Sequence, residues 1–162
     1  VNNSGITTPV PHDDLDQLTD EWIDRIMQTN FRGSFACIRA FLCLLRLGTK
    51  SCVVNISSIA GQSGIGSNVA YCASKAAMDS MTRSLARALA PDIWMVSIAP
   101  GWVIGEYADR FPQDYIDEQI AKTSLKSLAQ AEVVAEAVLS TVENLTFSTG
   151  SVIAVDGGRL LL

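Results

Sequence analysis

The sequence predicts an α/β protein, a doubly wound parallel sheet with helices on both faces. Three observations carry that expectation. Residues 51–57 and 93–99 are short, rich in β-branched residues and bounded by turn formers, as strands buried on both faces are. Stretches with apolar residues at helical spacing lie between and beyond them, so strand and helix alternate. No repeat, linker or low-complexity tract divides the 162 residues.

In chain order, residues 1–5 read as the tail of a strand entering a turn, and Pro9 and Pro11 keep the following polar segment irregular. A helix over residues 20–47 comes next. Thr19 or Asp20 caps it, Asp20, Glu21 and Asp24 suit its positive end, and Ile23, Ile26, Met27, Phe35, Ile38, Leu42 and Leu45 supply its apolar spacing. Gly33 weakens this helix by roughly 1 kcal/mol relative to Ala, so a kink or close approach is expected near Asn30, and Gly48 stops it. After the strand at 51–57, Gly61, Gly64 and Gly66 predict a loop. Ser67 or Asn68 then caps a long helix ended by Pro91. The second strand stops at Pro100-Gly101. Residues 105–127 read as a charged flap over the substrate site, irregular to helical, with Tyr107, Phe111 and Tyr115 suggesting a partly apolar ligand. A helix over 131–144, a strand over 151–155 and a turn at Asp156-Gly157-Gly158 complete the reading.

Bulk composition excludes several functions. A hydrophobic fraction of 48% with 18% charged residues is that of a globular protein with a real core. The net charge of −5 argues against a nucleic-acid partner and against an anionic membrane surface. The longest apolar stretch, residues 35–47, is interrupted by Arg39 and Arg46 and is too short to span a membrane. Cys37, Cys43, Cys52 and Cys72 form no CxxC pair and His12 is the only histidine, so no metal site is expected. The cysteines read as buried, reduced thiols, which suits a cytoplasmic location.

Tyr71 and Lys75 carry the chemistry. At i and i+4 near the start of a helix they share one face. An isolated tyrosine has a pKa of about 10, and a lysine ammonium one turn away and the helix N-terminus both favour its phenolate. Taken alone, Tyr-x-x-x-Lys is more often a solvated helix face. Ser58 follows one buried strand, Pro100-Gly101 another, and Asn3 ends the first strand remnant, so three strand ends and a helix N-terminus converge where open α/β sheets place their ligands.

Taken together, the motifs resemble those of the short-chain dehydrogenase/reductase family. Asn2-Asn3-Ser4-Gly5 is similar to its Asn-Asn-Ala-Gly motif, Asn55-Ile56-Ser57-Ser58 to its catalytic-serine segment, and Tyr71-Cys72-Ala73-Ser74-Lys75 to its Tyr-x-x-x-Lys motif. Asn30 matches the asparagine that completes the family's tetrad. Pro100-Gly101-Trp102-Val103 resembles the segment lining the nicotinamide, and residues 149–158 resemble the family's ending.

The resemblance implies a Rossmann-like fold and an oxidoreductase that moves hydride between NAD or NADP and a small-molecule carbonyl or alcohol substrate. Tyr71 is then the general acid/base, and Ser58 bonds the same substrate oxygen. Lys75 holds the nicotinamide ribose and lowers the tyrosine's pKa, and Asn30 holds a water that links Lys75 to solvent. Asn3, Tyr71, Lys75, Pro100, Gly101 and Val103 contact the cofactor. A homo-oligomer, dimer or tetramer, is also implied, with Phe41, Leu44, Met78 and Met81 as surplus apolar surface on its two long helices.

Two departures from the pattern stand out. Gly105 occupies the place where the family often has Thr, and Glu106 brings a negative charge beside it. The Gly-rich phosphate turn of a complete member is absent, and the chain begins with Val1. Residues 1–162 are therefore expected to be the C-terminal portion of a single domain of about 250 residues. The alternative is an inactive fragment that only associates with other chains.

Overall fold

A computed structural model describes residues 1–105 and 108–161, so Glu106 and Tyr107 lie outside the described residues. Helix α1 (Asp20–Met27) starts at Thr19, whose hydroxyl accepts from the Trp22 amide at 3.4 Å. Helix α2 (Ser34–Leu47) continues it, but a π turn over Gln28–Gly33 stands between the two. The expected irregularity near Asn30 is thus one widened turn rather than a break.

Strand β1 (Ser51–Ile56) pairs in parallel with β2 (Ile93–Pro100), and β2 with β3 (Val152–Val155), giving the order β1-β2-β3. Asn2 forms a parallel bridge to Asn55 on the open side of β1, so the strand remnant at the N-terminus takes its place in the same sheet. Between β1 and β2 lie a short helix α3 (Ala60–Ser63), within the segment expected to be loop, and the long helix α4 (Val69–Leu89). Helices α5 (Gln113–Ala121) and α6 (Ala131–Asn144) follow β2.

Both sheet faces are covered, as the continuous apolar strands require. On one face Val53, Ile93 and Met95 meet Ile38 of α2 and Met78 and Met81 of α4. On the other, Val54, Val96 and Ile98 meet Val134 and Val138 of α6. Met78 and Met81 are therefore core residues, which corrects their assignment to an oligomer surface. Phe41 and Leu44 do face outward, at 58% and 63% exposure. The cysteines need a second correction. Only Cys72 is buried, while Cys37 and Cys43 are exposed because the π turn and the spacing of Ile38, Leu42 and Leu45 put the opposite side of α2 against the core.

Candidate active site

The site lies where β1 and β2 end and α4 begins. Asn68, fully buried, caps α4: its side-chain oxygen accepts from the Tyr71 amide at 2.7 Å, and its amide donates to the Thr8 carbonyl at 2.6 Å. One residue thus sets both the helix start and the loop facing it. Tyr71 and Lys75 occupy the first two turns, with Nζ of Lys75 5.7 Å from the centroid of the Tyr71 ring.

Lys75 is buried at 4% exposure, and its ammonium donates to the Ile56 carbonyl at 2.8 Å. Burial pulls its pKa down from 10.5 to about 8, while Asp79, one turn on, pushes it back up. Of its three donors, two remain for a ligand. Gly61 brings α3 hard against this turn. A Cβ there would come within 2.7 Å of the Ala76 nitrogen and 2.8 Å of the Lys75 carbonyl carbon, so only glycine permits the approach.

Ser58 is half-buried just past β1, its hydroxyl accepting from the Ala60 amide at 3.2 Å and donating to the Pro100 carbonyl at a long 3.5 Å. Asn30 sits wholly buried in the π turn. Its side-chain oxygen accepts from the Ile6 amide at 2.8 Å, and its nitrogen donates to the Ile6 carbonyl and to Ser74 Oγ, both at 3.0 Å. Ser74 in turn donates to the Tyr71 carbonyl at 2.8 Å, which ties the π turn to the start of α4.

These groups open onto a cleft of about 1210 Å³ lined by Asn3, Ser58, Tyr71, Lys75, Pro100, Gly101 and Val103 among others. Asn30 stands behind it. The structure therefore gathers the eight residues expected to serve catalysis and cofactor binding, seven at the cleft and Asn30 as support. Three contributors were missed. Asp79 is buried behind Lys75 with its Oδ1 lacking a hydrogen-bond partner, and burial raises its pKa against the opposing effects of Ser57, Ser97, Arg83 and Lys75. Gln119 and Arg159 reach the cleft from α5 and from beyond β3. An acid four residues after Lys75 was a readable signal for the first. A pairing across 40 residues of sequence left none for the others.

Among the described residues no group of His, Cys, Asp and Glu could hold a metal ion, and no helix is long and apolar enough to cross a membrane. The donor set suits a nicotinamide nucleotide: a buried lysine with two unspent donors, and an open wall at Pro100–Val103.

A family model described as enoyl-(acyl carrier protein) reductase matches residues 1–159. The chain is 35% identical to the short-chain dehydrogenase/reductase homolog YusR of Bacillus subtilis, an alignment covering 80% of this chain and 99% of that protein. It is 37% identical to cyclopentanol dehydrogenase of Comamonas sp., covering 98% of this chain and 64% of that protein, so it spans about two-thirds of this relative's length. Among solved structures, ElxO with NADP bound superposes with a TM-score of 0.88 at 25% identity, covering 99% of this chain and 66% of that one.

Proposed function

The chain belongs to the short-chain dehydrogenase/reductase family, and we propose on that premise that it serves an oxidoreductase acting on a carbonyl or alcohol with NAD or NADP, Tyr71 handling the proton. The observation that carries this reading is the placement of Lys75 Nζ 5.7 Å from the Tyr71 ring, on the helix face that lines the cleft.

When bound, the cofactor supplies or removes hydride. Lys75, Asn3, Pro100, Gly101 and Val103 would hold it. Tyr71 gives its hydroxyl proton to the substrate oxygen in reduction and takes it back in oxidation. The Lys75 ammonium beside it favours the phenolate. Ser58 exchanges its long bond to Pro100 for one to the same substrate oxygen, steadying charge as it develops. Asn30 positions the start of α4 through Ser74. The space beside Gly5, where a Cβ would sit 3.5 Å from Lys75 Nζ and 3.6 Å from Asn30 Oδ1, suits a water that passes protons between the lysine and solvent. The rival reading, a chain that only associates with others, leaves this gathering of a proton carrier, a buried cation and a hydroxyl without a purpose.

The test is Tyr71→Phe in the natural protein. Turnover should fall by about 10²–10⁴ while cofactor affinity stays near wild type, because the ring remains and only the proton carrier is lost. Wild-type turnover in that variant would overturn the assignment.

A further inference from the structure

The chain carries 17 acidic and 12 basic residues, yet no Asp or Glu lines the described part of the cleft, while Lys75, Arg110, Lys122 and Arg159 all do. Cations that face a cleft attract anions, and the geometry singles out one of these four. Arg159 is held in a fixed pose. Its two terminal nitrogens donate to the Gln119 carbonyl at 3.0 Å and to Gln119 Oε1 at 2.7 Å, and Gln119 itself is buried at 4% exposure. Arg159 forms no ion pair with Asp156, three residues before it. Both carboxylate oxygens of Asp156 are engaged by backbone amides, those of Gly158 and Leu160, each at 2.9 Å. A guanidinium has five donors, so three remain, and Nε–H with one Nη–H forms a fork that matches a carboxylate or phosphate.

The sequence of α5 explains the rest of this wall. Tyr115, Gln119 and Lys122 fall at i, i+4 and i+7, one face of the helix, and all three line the cleft. Tyr115 stacks on Phe111 at 4.8 Å between ring centroids, and Trp102 meets both rings edge-on at 5.5 and 5.7 Å. An aromatic surface thus lies beside the cations.

We propose that the substrate is an anionic carbonyl compound, its carboxylate or phosphate seated on Arg159 and its body lying along the Trp102–Phe111–Tyr115 surface. This inference rests on the oxidoreductase reading above and names the substrate class of the same site. Lys122, exposed and paired with Glu118 on its own helix, adds to the field at the rim.

The experiment compares two matched pairs at saturating NADH or NADPH in the natural protein: 2-oxo-4-phenylbutanoate with 4-phenyl-2-butanone, and dihydroxyacetone phosphate with dihydroxyacetone. The anionic member of at least one pair should lead in kcat/KM by about tenfold or more, as a charge-assisted hydrogen bond allows. Which pair shows the lead distinguishes carboxylate from phosphate. Arg159→Gln should remove that lead by slowing the anionic member about tenfold more than its neutral partner, and Arg159→Lys should restore part of it, with a thermal melt confirming that both variants fold. Equal or better turnover of the neutral members would overturn the inference and leave the oxidoreductase reading intact. So would an Arg159→Gln variant that slows both members alike or raises only the KM for cofactor. Absence of Tyr71-dependent turnover on all four compounds would overturn both.

Discussion

Lys75 and Asp79 lie one turn apart on α4 at 4% and 3% exposure, the lysine at the wall of the cleft and the carboxylate behind it with its Oδ1 lacking a hydrogen-bond partner. The pair is held where a charge is costly, so each group props up the other's ionised form while burial opposes both. Besides each other, the charged group set against them among the described residues is Arg83, further along the same helix. The strands packed on them contribute the neutral hydroxyls of Ser57 and Ser97.

The pH profile should report this pairing. With the Lys75 pKa near 8, kcat/KM should fall on an alkaline limb as the ammonium is lost. Asp79→Asn removes the charge that raises the lysine's pKa, so the limb should move to lower pH, while kcat at neutral pH changes less. A pH–rate profile with an unmoved limb would show that Asp79 only fills space.

Stability should carry the same signature. Lys75 binds its proton less tightly folded than unfolded, where its value is 10.5. Stability should therefore rise with pH between about 8 and 10.5, with the full cost of burying the ammonium present below that window, on the order of 3 kcal/mol. Lys75→Met should abolish this pH dependence, its stability staying level between about pH 8 and 10.5 where wild type gains, while it binds the cofactor more weakly and turns over more slowly. Chemical denaturation across that range checks it.

The helix start offers a third measurement. Asn68→Ala removes a buried cap and leaves the Thr8 carbonyl unpaired, so a loss of about 1–3 kcal/mol is expected. Asn68→Asp keeps the acceptor for the Tyr71 amide and should recover part of it. Gly61→Val should cost more, since no neighbouring atom can retreat: the contacts are backbone. Urea unfolding of the three variants gives the order.

Oligomerisation is the fourth. Phe41, Leu44 and Leu47 project from α2 at 58%, 63% and 82% exposure, one stripe at i, i+3 and i+6. We expect that stripe to seat against a second copy. Phe41→Asp should lower the mass found by light scattering at micromolar concentration without lowering the melting temperature of the separated chains. An unchanged mass would place the interface elsewhere.

What the sequence revealed and what it hid follow physical lines. The strands, the cap at Asn68 and the Tyr71–Lys75 face were readable because each is set by residues within four positions of one another. The π turn was visible only as a weak point at Gly33, since inserting one residue in a helix leaves composition untouched. Met78 and Met81 looked like surplus because sequence shows apolar residues but not how many layers await them. Here both pack into the cluster formed by Val53, Ile93 and Met95 of the sheet with Ile38 of α2. Cys37 and Cys43 were misplaced for the converse reason, as thiols of a type usually buried on a helix side that faces out. The Arg159–Gln119 contact joins two elements through the fold, and no local pattern encodes it.

The bond pair between Asn30 and Ile6 reaches further than its size suggests. By accepting from the Ile6 amide and donating to its carbonyl, one side chain acts as a single rung of a ladder for a segment that has no strand beside it. That segment is a wall of the cleft. Its position at Ile6 is therefore set by counting residues in a helix on the far side, while Asn68 holds its other end at Thr8. Removing one residue from Gln28–Gly33 would swing Asn30 about 100° around the axis and let the wall go, though nothing in the cleft itself had changed.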